Sequence, residues 1–469
     1  MSHLIPSRTP RIESRGGFMM KSVFDEDHLY RTYFRLSVPV VLGMVVTLVY
    51  NLADTYFIAR TGNTDLIAGV SLCAPVFTAL MAFGNIFGQG GSSLASRMLG
   101  QQDGDGVRHV SSFCFFGALA AGAVLAVLMT LFQRPVLQML GADEETMQYA
   151  FDYYIVLAIG APIIVLSFIH SNLVRCEGMA SESMIGTILG SVVNIILDPI
   201  LISSLNMGSF GAAIATVIGY LCSILYFLCL LHGKNTSLSV RFSDAKVSRK
   251  DLSQILEIGI TAALSNLMQS LCVIVTNQFL LPYGNDKVAA MGIVLKINMI
   301  VQLILVGFSF GGVPLFGYLY GAGSQKNLKK LVRFCVLFLC TLSLGLTAGI
   351  IMNAESLMHF FIQDAAMIEN GAEMLRWQTV SAVFAAVVTL MTVLFQAAGK
   401  VIPALILSLS RQGAVYVIAM IVCVRLSGYR GVLMSQAAAD LISAGIAILL
   451  LLVSHPLSMQ EEQESGSRA

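Results

Sequence analysis

The sequence predicts an all-α integral membrane protein, with twelve transmembrane helices in two pseudo-symmetric six-helix lobes. Three observations predict it. Of the 469 residues, 56% are hydrophobic and 12% charged, against about 45–50% and about 25% in ordinary soluble proteins. Apolar runs of roughly 20 residues recur along the chain, each long enough to cross a hydrocarbon layer of about 30 Å. The two halves also repeat one another at an offset of 221 positions.

Apolar runs set against polar, Gly and Pro punctuation start near residues 34, 66, 109, 148, 182, 209, 253, 287, 329, 373, 402 and 430. Residues 1–33 read as a cytoplasmic N-terminal tail, polar up to about Lys21 and without the apolar core of a signal peptide, with Met19 or Met20 as alternative starts. Residues 34–232 hold spans 1–6, and residues 233–251 form a linker. Residues 252–454 hold spans 7–12, and residues 455–469 form a C-terminal tail. With both termini inside, Lys and Arg concentrate on the inner side. Only Arg60, Arg134, Lys287, Arg376, Arg425 and Arg430 fall at outer ends, while Lys296 and Arg411 fall within spans. The positive-inside rule supports that orientation in a cell inner membrane.

The repeat is carried by glycines. Gly90-Gly91 matches Gly311-Gly312, Gly100 matches Gly321, and Gly178 matches Gly399. After a one-residue slip, Gly208-x-x-Gly211 matches Gly428-x-x-Gly431. Small residues let membrane helices approach closely. Two parallel halves related by an axis along the membrane normal leave a substrate path between them, the architecture of alternating access.

Several function classes are excluded. A formal net charge of +1 and a pI near 7.6 provide no basic surface for nucleic acid. No His-rich metal set and no Ser/His/Asp arrangement points to an enzyme, and no cofactor is expected. The nine cysteines form no CxxC pair and read as small core residues. A monomer is expected to suffice, with the bilayer as its surroundings.

A charge at mid-bilayer costs about 2.5–3.5 kcal/mol on the insertion scale, so intramembrane acids need a reason. Asp54 lies late in span 1, in Asn51-Leu52-Ala53-Asp54, and Asp198 lies in span 5, in Asn194-Ile195-Ile196-Leu197-Asp198-Pro199. The i,i+4 spacing puts Asn194 and Asp198 on one helix face, and Pro199 frees a carbonyl in the preceding turn. Span 6 adds Thr216. Two carboxylates, an amide and a hydroxyl suit a small hard cation; two nearby acids also suit one shared proton.

These stretches resemble the multidrug and toxic compound extrusion (MATE) family. The similarity is carried by Ser37-Val38-Pro39 through Asp54 to Ile58, Gly90-Gly91 to Gly100, Arg175-Cys176-Glu177-Gly178, Asn194 to Pro199, and Gly211 to Thr216. The resemblance implies a secondary antiporter that exports organic cations against inward Na+ or H+. It also implies that Asp54, Asn194, Asp198 and Thr216 form the cation site, holding Na+ directly if sodium is the coupling ion. One departure stands out: Gln269 occupies the place of the acid that some members carry in span 7, and span 10 offers Gln378 and Gln396 but no acid. The coupling load is thus expected wholly in the N-terminal lobe.

Asn85, Gln89, Gln269, Asn277, Lys296 and Asn298 are the substrate-cavity candidates, as polar side chains within spans 2, 7 and 8. Lys296 is expected to be buried unless it pairs or snorkels, and it would repel a cation or select an anion or zwitterion. It also favours a competing reading, a lipid or lipid-linked oligosaccharide flippase. Tyr33 and Trp377 are expected as interfacial anchors and His170 as a packing residue. Arg411 receives no role.

Overall fold

The computed structural model describes residues 24–233, 236–361 and 364–454. Twelve helices there are long and apolar enough to cross a membrane. They are α1 (Leu29–Ala59), α2 (Thr64–Gly100), α3 (Gly104–Leu131), α4 (Met147–Cys176), α5 (Ala180–Ser204), α6 (Gly208–Gly233), α7 (Arg249–Tyr283), α8 (Asp286–Gly321), α9 (Gln325–Met352), α10 (Met367–Ala397), α11 (Val401–Ser427) and α12 (Tyr429–Val453). No strand occurs among the described residues.

Each helix starts a few residues or fewer before the apolar run that predicts it, and in several a polar, capped first turn precedes the run. Asp103 accepts from the Gly106 N–H at 2.9 Å at the start of α3, and Ser248 accepts from the Asp251 N–H at 3.1 Å at the start of α7. The repeated glycines end and begin helices in left-handed backbone. Gly178 and Gly399 have φ of +82° and +76°, and Gly208 and Gly428 have +55° and +56°. A side chain at any of the four would be strained. The repeat extends further than the glycines, since short helices at Gln133–Met139 and Ala354–Phe361 start at the same offset. Neither is marked by the apolar pattern.

Within each lobe the helices pack on their neighbours, and the lobes meet through α2 with α7 and α8, and through α1 with α8. These contacts obey the repeat. A Cβ on Gly100 would lie 2.1 Å from the Tyr318 carbonyl oxygen, and one on Gly321 would lie 2.0 Å from the Arg97 carbonyl oxygen. Arg97 and Tyr318 are themselves repeat equivalents, so the crossing is reciprocal about the pseudo-twofold axis. Gly90 and Gly259 make the same kind of approach between α2 and α7, meeting the carbonyls of Ile255 and Ile86.

Polar bonds close this end. Arg97 donates to Ser93 at 2.9 Å, to the Ala397 carbonyl at 3.1 Å and to Gln254 at 2.7 Å. Tyr33 donates to the Phe308 carbonyl at 2.9 Å. Tyr33 is fully buried, which corrects its expected place at the membrane interface: its ring packs among Phe34, Phe334 and Phe338. All these contacts lie at the end where α1 begins and α12 finishes. Toward the other end α1 exposes Val49, Leu52 and Tyr56, and α7 exposes Leu267 and Ile274.

The N-terminal boundary also shifts. Residues 1–23 lie outside the described residues, but residues 24–33 are not a free tail. Phe24 stacks on Tyr318 with ring centroids 4.6 Å apart, and Glu26 accepts from Ser324 and Asn327, each at 2.7 Å. The linker residues near 237–244 lie against α3 and the end of α4. Ser111 accepts from the Ser239 N–H at 2.9 Å, and His109 Nδ1 lies 2.8 Å from the Asp244 carbonyl. Glu177 accepts from the Ser237 N–H at 2.6 Å.

Candidate functional site

The N-terminal lobe brings Asn194, Asp198 and Thr216 together. Regular α-helix in α5 stops at Asp198, and Pro199–Ser204 continue as a π-turn. Proline has no N–H to donate, so the backbone rewinds after Asp198, with the Leu205 N–H bonding the Ile200 carbonyl at 2.9 Å. Asp198 has no solvent exposure and Asn194 and Thr216 almost none. The Asn194 amide lies between the other two. With its nitrogen 3.1 Å from Asp198 Oδ2 and its oxygen 3.1 Å from the Thr216 backbone nitrogen, both amide groups are satisfied, which fixes its orientation.

Asp54, on α1, is half-buried, and its Oδ1 has no hydrogen-bond partner among the described residues. Its charge lies close enough to interact with Asp198, Tyr50 and Tyr153. A sealed carboxylate oxygen without a donor is an acceptor that a proton or a small cation would satisfy. No group of three or more His, Cys, Asp or Glu side chains that could hold a metal occurs among the described residues.

A cavity of about 490 Å³ opens beside these residues. Asn194 and Thr216 form part of its wall. Tyr50, Phe77, Phe168, Tyr220 and Phe310 supply aromatic faces, and Met44, Met81, Met184 and Met299 supply adaptable apolar surface. Of the six predicted cavity residues, Asn85, Gln89 and Gln269 line it. The other three do not, and each has a geometric reason. On α8 the lining begins at Met299, one turn past Lys296, which is exposed rather than buried. Asn277 lies two turns beyond Gln269 on α7. Asn298 neighbours Met299 but is rotated about 100° from it around the helix, into the lobe interior, where its Oδ1 has no partner among the described residues.

The C-terminal lobe holds a further acid, one that does not figure among the candidates read from the sequence. Asp440, in the middle of α12, has no solvent exposure and accepts from Arg411 Nε at 3.1 Å. Arg411 reaches further, donating to Thr389 Oγ1 at 3.1 Å and to Gln302 Oε1 at 3.0 Å. The unassigned arginine of α11 therefore ties four helices together, and Gln302 carries that tie to the cavity wall. The chain does carry a signal: an Asp in the apolar run Ala437-Ala438-Ala439-Asp440-Leu441-Ile442 bears the same cost as Asp54 and Asp198. His170, by contrast, packs between Phe115 and Phe227 as expected.

A bilobed helical bundle with a pseudo-twofold axis and a cavity between the lobes is the architecture of a membrane transporter. The MatE family model matches residues 39–200 and 261–423, one segment in each lobe. The chain belongs to that family, the multidrug and toxic compound extrusion transporters. It is 30% identical over 428 residues to the multidrug export protein MepA of Staphylococcus haemolyticus (strain JCSC1435), covering 91% of this chain and 94% of the relative. It is 31% identical over 432 residues to MepA of Staphylococcus aureus (strain NCTC 8325 / PS 47), with the same coverage. Among solved structures, a MATE transporter in the straight conformation superposes with a TM-score of 0.87 at 26% identity, covering 94% of this chain and 99% of that one. An outward-facing multidrug resistance MATE transporter of the MOP superfamily superposes with a TM-score of 0.86 at the same identity and coverage.

Proposed function

We propose that this protein exports small amphipathic molecules across the plasma membrane in exchange for Na+ or H+, coupled through Asp54, Asn194, Asp198 and Thr216. One observation carries the reading. Asn194 and Thr216 belong at once to the cavity wall and to the polar cluster around fully buried Asp198. A cation or proton at the carboxylates competes with the Asn194 amide for the Asp198 oxygens and weakens the bond that holds this part of the wall. Ion occupancy and substrate affinity are thereby linked, and by thermodynamic reciprocity substrate opposes the ion to the same degree.

In this reading both termini are cytoplasmic, so the end sealed by Arg97 and the paired glycines faces inward and the cavity is offered to the outside. Ion entry neutralises the acids, shifts the balance toward the inward-open state and accompanies substrate release. A single chain contains every group involved. The flippase alternative drew on Lys296, which lies outside the cavity.

The test is efflux of a fluorescent amphiphile from proteoliposomes, with sodium and pH gradients imposed separately. Extrusion driven by one gradient, and lost in Asp198→Asn and Asp54→Asn, establishes the coupling and names the ion. Wild-type rates in Asp54→Asn would remove that residue from the mechanism.

A further inference from the structure

The charge on the cavity wall is opposite in sign to what a site for organic cations needs. Among the described residues lining the cavity, Arg175 is the one charged side chain, and no carboxylate lines it. Asp198 stands behind Asn194, Asp440 is taken up by Arg411, and Lys296 lies beyond the rim.

Arg175, in the last turn of α4, makes a single hydrogen bond, from Nη2 to Asn172 Oδ1, and no ion pair among the described residues. The Asn172 amide, which also donates to the Phe168 carbonyl at 2.6 Å, is neutral and leaves the Arg175 charge uncompensated. A guanidinium has five N–H donors in a planar fork, which matches the two oxygens of a carboxylate. Most of that fork is left for a ligand, at one end of a cavity otherwise built of aromatic rings, methionines, amides and hydroxyls. The lining from the other lobe adds a donor: because arginine can only donate, Gln302 Oε1 is fixed toward Arg411, which leaves the Gln302 NH2 group to donate elsewhere.

We propose that Arg175 is the anchor of the substrate cavity, and that the cavity takes amphiphiles bearing an acidic group, zwitterions among them, with the acid on Arg175 and the apolar body against the aromatic wall. A cationic centre on the same molecule would be served by the ring faces of Tyr50, Phe168 and Tyr220. The proposal rests on reading this cavity as the export site and adds the chemical class it selects.

The experiment is equilibrium binding to the purified full-length protein in a maltoside detergent, with no ion gradient, so that a failure of coupling does not affect it. The probes share one aromatic core: 2-naphthylacetate, its methyl ester, and the corresponding trimethylammonium compound. A short-chain phosphatidylglycerol beside its phosphatidylcholine counterpart tells whether an acid carried by a lipid is taken as well as one on a soluble ring. The wild type should bind naphthylacetate more tightly than the ester. Arg175→Gln should weaken the acid roughly tenfold or more, the value of one charge-assisted bond, leave the ester unchanged, and strengthen the cation. Arg175→Lys should retain part of the preference. A role in folding alone predicts equal weakening of all three, and that result overturns the proposal, as does an acid preference unaltered by Arg175→Gln. If the wild type binds none of the probes, the assignment of this cavity as the export site falls with it.

Discussion

At Asp440 a carboxylate sealed from solvent is balanced by one guanidinium, and the balance sets what each substitution does. Asp440→Ala leaves Arg411 buried without a counter-charge and should destabilise the protein by about 3–5 kcal/mol. The double variant Asp440→Leu/Arg411→Met removes both charges and should recover most of that loss, as read by thermal unfolding in detergent. Glu177 lies in the turn outside the spans. Burial pushes its carboxyl up to about 7 from an ordinary 4.5, against the pull of its bond from the Ser237 N–H. The folded protein therefore holds the proton over a range where the unfolded chain has lost it. Stability falls as pH rises from about 4.5 to about 7 and is level on either side. Glu177→Gln should flatten that profile, and unfolding midpoints measured between about pH 4 and about pH 8 would show it. Asp54 and Asp198 are conspicuous in the sequence because each sits in a motif. Asp440 carries the same cost, and Gln436 precedes it by four positions as Asn194 precedes Asp198, but it lies outside the stretches that carry the family resemblance, and its charge partner lies 29 positions away.

Among the helices, the crossing of α2 with α8 depends on Gly100 and Gly321, where carbonyl oxygens occupy the space a Cβ would need. Gly100→Leu should force this end apart and favour the opposite state, seen as a shorter distance between spin labels at Arg60 and Leu281, both exposed at the far end. These glycines are legible as a repeat in the amino-acid sequence, because close helix approach and left-handed turns each demand glycine. The cavity residues that the sequence misplaces show the limit of that reading. Residue type marks a side chain as polar within a span, but depth along the helix and rotation about it decide what it faces. Lys296 misses the cavity by one turn and Asn298 by one residue of rotation.

For the whole molecule, the coupling scheme predicts that the lobes respond to the ion. Lowering pH or adding Na+ should shift the label distance between Arg60 and Leu281 in the wild type, and Asp198→Asn should abolish the shift. Arg97→Ala loosens the opposite end and should favour the alternate state without any ion.

The membrane class, the twelve spans, the two-lobed repeat and the polar set of the N-terminal lobe are all legible in the chain. They follow from local quantities: apolar length, charge bias along the chain, glycine spacing and an i,i+4 pair on one helix face. Folding in three dimensions decides the rest: which polar residues share a cavity, that Asn194 and Thr216 serve both wall and acid, that Asp440 is paired with Arg411, and that Arg175 is the charge left facing the cavity. Each of these depends on side chains from different helices meeting at one depth and one rotation, and pairings between residues tens to hundreds of positions apart leave no periodic trace in the chain.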